Sequence, residues 1–135
     1  MFSFILIFVG FAPISGLFGS MKNVTVRGMI KCGVFSADGK KIELWEDDIL
    51  NRDDKLNTTF SDLVGRFEIY GQTREIRNIE PYLLITHNCD GIAPNLKCTI
   101  IDRYKIPKDK QGKVYHIGAI NLSDGTKKRK RTCKK

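Results

Sequence analysis

The chain has 135 residues, 41% of them hydrophobic, which suffices for one domain with a real core and excludes two. Its formal net charge is +8, but Lys127, Lys128, Arg129, Lys130, Arg131, Lys134 and Lys135 supply seven positive charges, leaving +1 on residues 1–126. A nearly neutral body thus carries a strongly basic end, and the chain shows neither an internal repeat nor coiled-coil heptads.

Met1 to Ser20 is a continuous apolar segment closing in the small residues Gly16, Gly19 and Ser20. Length and position are those of a signal peptide, with cleavage expected after Gly19 or Ser20. No other stretch approaches the roughly 18 apolar residues that a spanning helix needs. The expected organisation is therefore a signal peptide over 1–20, a β-sandwich over 21–126 and a basic tail over 127–135 that carries Cys133. Export also gives meaning to three N-glycosylation triplets, at Asn23, Asn57 and Asn121. One or two of them are expected to be used, Asn23 least because it lies so near the mature terminus.

After the leader, Val24, Val26, Gly28, Ile30 and Cys32 share one face of a half-buried strand, with Thr25, Arg27 and Lys31 on the other. Asp38-Gly39 marks a turn, and Lys41–Glu46 alternates again with Ile42 and Leu44 inward. Asp47 to Asn57 reads as an acidic loop entering a short edge strand near Leu56–Phe60. Gly65 to Gly71 reads as a strand with Phe67 and Ile69 inward, and Thr73–Asn78 as a single helical turn. Pro81–Thr86 is apolar on both faces, as in a central strand covered on both sides. Cys98–Ile106 and Val114–Leu122 supply two more strands, separated by a charged turn over Lys108–Lys113. About seven short strands punctuated by Gly, Asp and Pro predict an all-β fold of the sandwich type.

Read together and in order, these segments resemble the nematode transthyretin-like family. The resemblance rests on Val26-x-Gly28-x-Ile30-x-Cys32, Ile42-x-Leu44-Trp45-x-x-Asp48, Asp53-Asp54 and Gly65-x-Phe67-x-x-x-Gly71. It continues through Ile79-x-Pro81-Tyr82-Leu83-x-Ile85-x-His87-x-Cys89, Cys98, Ile106-Pro107, Ile117-Gly118-x-x-Asn121-Leu122 and Cys133. It implies a secreted, extracellular, transthyretin (prealbumin)-like Greek-key sandwich of about seven strands with at most one short helix. It implies no catalytic residues and no cofactor. Relatives of transthyretin that hydrolyse hydroxyisourate end in a Tyr-Arg-Gly-Ser-type tail beside paired histidines, whereas this chain ends Lys-Arg-Thr-Cys-Lys-Lys.

Four cysteines permit three pairings. Cys89 and Cys98 enclose only eight residues, which two antiparallel strands can close. The expected bridges are therefore Cys89–Cys98 and, by remainder, Cys32–Cys133, tying the first strand to the tail. No Cys-x-x-Cys pair supports a zinc site, and exported thiols are oxidised. With Cys89 bridged, His87 has no nucleophile to activate, and the other imidazole, His116, lies elsewhere. The acidic residues Glu46, Asp47, Asp48, Asp53 and Asp54 do not follow the ligand order of an EF-hand loop, so the stretch is read as solvated and no metal site is expected. A turn-capping or partner-contact role stays open for Asp53 and Asp54.

The seven basic residues among positions 127–135 are the strongest surface signal. Inside a cell it would suggest nucleic acid, but export removes that partner and leaves sulfated glycans and acidic phospholipid headgroups. The expected function is a non-enzymatic binding or bridging module: its neutral body meets an extracellular protein or receptor, and Lys127–Arg131, Lys134 and Lys135 meet an anionic surface. The alternative is an extracellular carrier of a small apolar ligand.

Overall fold

The computed structural model describes residues 19–48, 52–75 and 79–135. The expected signal peptide lies, up to Phe18, outside the described residues. The protein is all-β, with eleven strands and one three-residue 3-10 turn among the described residues. In chain order the strands are β1 (Ser20–Cys32), β2 (Phe35–Ser36), β3 (Lys41–Glu46), β4 (Asp54–Phe60), β5 (Arg66–Glu75) and β6 (Pro81–His87). They continue as β7 (Cys89–Asp90), β8 (Ala93–Pro94), β9 (Cys98–Lys105), β10 (Val114–Asn121) and β11 (Arg129–Cys133).

Two sheets carry the fold. In the four-stranded sheet β1 is flanked by β10, which runs parallel to it, and by β5, which runs antiparallel; β2 pairs with its end. The five-stranded sheet has the order β11-β9-β6-β3-β4 and is antiparallel throughout. β7 and β8 form a separate small ladder. The β6 strand occupies the centre of its sheet, where burial of Pro81, Tyr82, Leu83, Ile85 and His87 explains why its sequence is apolar on both faces. Pro81 opens the strand, the position in which a missing N–H does least harm.

The period-two pattern of β1 sends Val24, Val26, Ile30 and Cys32 into the core, where they meet Ile42 and Leu44 from β3 and Leu83 and Ile85 from β6. Where β5 passes β3 and β4, a Cβ on Gly71 would lie 2.6 Å from Leu44 and 2.9 Å from Leu56, so glycine permits the close approach of the two sheets.

Two expectations about local structure are corrected. Thr73, Arg74 and Glu75 are not helical but prolong β5, because each pairs with the start of β1 (Lys22, Met21 and Ser20); residues 76–78 lie outside the described residues. The stretch over 127–135 is not a tail appended to the sandwich: Arg129–Cys133 is the edge strand of the five-stranded sheet.

The cysteine pairing differs from expectation for the same reason. The bridges are Cys32–Cys89 and Cys98–Cys133, and no cysteine is free. Cys98 and Cys133 are directly opposed in the β9–β11 ladder with their Cα atoms 4.0 Å apart. Cys89 faces Pro94 across the short β7–β8 ladder, which leaves its thiol for Cys32 at the inward end of β1. That bond ties β1 of the four-stranded sheet to the small β7–β8 ladder that follows β6, with both residues at least 97% buried.

Candidate functional site

Strand alternation divides the basic end into two sets. Arg129 and Arg131 turn toward acidic partners on neighbouring elements, while Lys130, Thr132 and Lys134 line the opposite face.

Asp102, in the middle of β9, is completely buried and stands opposite Arg129 in the ladder. Arg129 Nε donates to Asp102 Oδ1 and Nη2 to Oδ2, each at 2.7 Å, and Nη2 also donates to the Leu122 carbonyl at 2.8 Å. Thr126 Oγ1 adds a third donor at 3.2 Å, and His87 Nε2 lies 2.8 Å from Oδ2. The Cys89 N–H donates to His87 Nδ1 at 3.0 Å, so Nδ1 offers its lone pair and the ring proton sits on Nε2, aimed at the carboxylate. Burial alone would raise the Asp102 carboxyl; the hydrogen bonds from Arg129 and His87 outweigh it and hold the group far below the usual carboxylate range. The geometry is a fork-to-fork ion pair inside the protein.

Arg131 repeats the arrangement nearer the surface. It binds Asp90 by two bonds of 2.9 and 2.8 Å, and its hydrogen bond, followed by that of Asn95, lowers the Asp90 carboxyl. Two of the seven cations expected to face an anionic surface, Arg129 and Arg131, are therefore engaged within the protein.

The other face gains a cation that the sequence reading missed. Lys134 N–H donates to the Lys97 carbonyl at 2.8 Å, which brings the loop before β9 alongside the chain end. Lys97, Lys130 and Lys134, with Thr99, Thr132, Ile101 and Leu96, surround a shallow groove of about 370 Å³. Among the described residues none of these three lysines is in an ion pair, and Leu96 beside them is 92% exposed. Lys127, Lys128 and Lys135 are also exposed, Lys128 on a separate hollow beside Asp47 and Glu80. Only knowledge of β11 would have separated the inward from the outward cations.

The remaining expected residues scatter. Asn57 is exposed on the edge strand β4, with Nδ2 donating to the Tyr70 carbonyl at 2.7 Å. Asn121 Oδ1 accepts from Gly33 N–H, Ser123 N–H and Ser123 Oγ, so this half-buried side chain ties β10 to the turn after β1. Asn23 lies within β1, also half-buried. Asp53 serves its own loop: Tyr82 donates to its Oδ2 at 2.5 Å and Asp48 N–H to its Oδ1 at 3.3 Å. Arg103 lies 3.6 Å over the Tyr82 ring, and Trp45 stacks on the same residue at 6.5 Å. His116 is distant in role from His87; it borders an open groove of about 580 Å³ on the outside of the four-stranded sheet, floored by Gly28, Met29, Phe67 and Ala119.

Two facing sheets, with one bridge from β1 to the ladder after β6 and one along the β9–β11 edge, define a disulfide-stapled β-sandwich. The chain belongs to the transthyretin-like family, whose model matches residues 27–107. It is 40% identical over 102 residues to transthyretin-like protein 16 of Caenorhabditis elegans, covering 76% of each chain. It is 32% identical over 141 residues to transthyretin-like protein 2 of the same organism, covering 95% of this chain and 93% of that one. The family match ends at Pro107, short of β10 and β11, so the basic edge lies beyond it.

Proposed function

We propose that the protein is an exported, non-enzymatic binding module that meets an anionic glycan or phospholipid surface through the outer face of β9 and β11. The observation that carries this reading is the segregation of charge on β11: Arg129 and Arg131 are neutralised by Asp102 and Asp90, whereas Lys97, Lys130 and Lys134 stand together without a carboxylate partner among the described residues. Two disulfides and the apolar N-terminal stretch support export. The absence of a free thiol and the enclosure of His87 by Asp102 and Cys89 support a binding role over nucleophilic catalysis.

Retention on heparin and on anionic vesicles in rising salt tests the proposal. Each lysine near such a surface is worth about 1 kcal/mol, so K97A/K130A/K134A is expected to elute at clearly lower salt than the wild type. K127A/K128A should move elution less. Equal elution of the triple variant and the wild type would remove the reading. A second reading, carriage of a small apolar ligand, draws support from the groove of about 580 Å³, whose size is that of ligand sites. Its test is displacement of a fluorescent apolar probe, sensitive to substitution of Met29.

A further inference from the structure

The acidic residues around Glu46 do not behave as one solvated loop. Glu46 ends β3 and is 96% buried; Asp54 begins β4 and is its partner in the ladder. Glu75 ends β5 and so reaches the same place from the other sheet. One carboxylate oxygen from each of the three lies within 4.8 Å of the other two. Glu46 Oε2 is fully enclosed and has no hydrogen-bond partner among the described residues, although a buried carboxylate oxygen normally has at least one. We infer that Glu46, Asp54 and Glu75 form a binding site for a hard divalent cation of the calcium class, bridging the two sheets at this end of the sandwich.

Size and ligand chemistry select the ion. Calcium takes oxygen ligands at about 2.3–2.6 Å, so oxygens on opposite sides of one ion stand roughly 4.6–5.2 Å apart. Three oxygens no farther than 4.8 Å from one another can share one such shell. Magnesium dehydrates reluctantly and is usually held by one or two carboxylates, so a set of three favours calcium. An all-carboxylate set lacks the nitrogen and sulfur donors that zinc and copper favour. Asp54 is exposed, which leaves that side of the site open to water ligands. Without an ion, three carboxylates from two sheets are crowded together at one point, one of them almost fully buried. A divalent cation between them relieves that crowding of like charge.

The full chain, freed of metal by chelation and dialysed, is to be melted at pH 7.5 with and without calcium. Calcium a hundredfold above its Kd should raise Tm by about 5–10 °C. E46Q and D54N should lose most of that rise; D54N alters only an exposed side chain and covers the case in which E46Q fails to fold. Terbium luminescence sensitised through Trp45, the single tryptophan and the neighbour of Glu46, gives a direct readout that calcium should compete away. An unchanged Tm with no sensitised terbium signal overturns the site. So does a calcium response of equal size in D54N. In either case Glu46 and Glu75 simply share a proton.

Discussion

Arg129 and Asp102 face each other across the β9–β11 ladder and close two parallel hydrogen bonds of 2.7 Å around a carboxylate that no water reaches. This one relationship converts a basic chain end into a strand. It also orients the opposite face of that strand, on which Lys130 and Lys134 lie.

Removing one partner of a buried ion pair leaves an uncompensated charge, at about 3–5 kcal/mol. R129A is therefore expected to destabilise the protein strongly by chemical denaturation. Replacing both residues, as in D102L/R129M, is expected to restore much of the loss. Recovery by the double variant distinguishes charge burial from loss of packing.

Asp102 also sets an acid dependence. Its folded pKa lies below the unfolded value near 3.9, so its contribution is complete above that pH and drains away as pH falls from about 4 toward the folded value. Denaturation at pH 5 and at pH 3 should show a steeper loss for the wild type than for D102N, which cannot titrate there.

Glu46 acts with the opposite sign in metal-free protein. A folded pKa raised to about 8 means the folded state holds its proton more tightly than the unfolded state. The stabilisation is full below the unfolded value near 4.3 and fades as pH climbs from there to about 8. In chelator, E46Q should therefore overtake the wild type in Tm between pH 5 and pH 8.5.

The two disulfides should separate in their effects. Sequence separations of 57 and 35 residues correspond to about 4 kcal/mol each in the loop-entropy model. C32A/C89A adds a cavity between the sheets and should be the more damaging pair. C98A/C133A should leave the sandwich folded while loosening β11, read as faster amide exchange over residues 129–133 and weaker retention on anionic vesicles.

Gly65 has φ +87°, and a Cβ there would stand 2.1 Å from the Ile30 carbonyl oxygen. G65A should cost at least about 1–3 kcal/mol, because both the left-handed backbone and the contact resist a side chain. A Tm within a degree of the wild type would show that the turn can rearrange.

The seven strands with clear alternation or a continuous apolar run were legible because burial on one or two faces writes itself into residue order. β11 was not, since Arg-Lys-Arg-Thr-Cys is an edge strand whose inward positions are held by ion pairs instead of apolar contact. Missing it reversed the cysteine assignment, for the proximity of Cys98 to Cys133 exists only across that ladder. The first half of the expected helical turn, Thr73–Glu75, differs for another reason: a polar stretch with little pattern takes its conformation from β1. Asp53 and Glu46 sit close in sequence, yet one caps a turn on Tyr82 and the other meets Glu75 from the facing sheet; sequence distance carries no record of that second encounter.

The pairing of β1 with β10 orders events during synthesis. Strand β1 waits for residues 66–75 to gain one neighbour and for residues 114–121 to gain the other. Cys32 likewise stays a thiol until Cys89 emerges. Contacts of such long range form late, so β1 lacks one of its two flanking strands until residue 121 has been made.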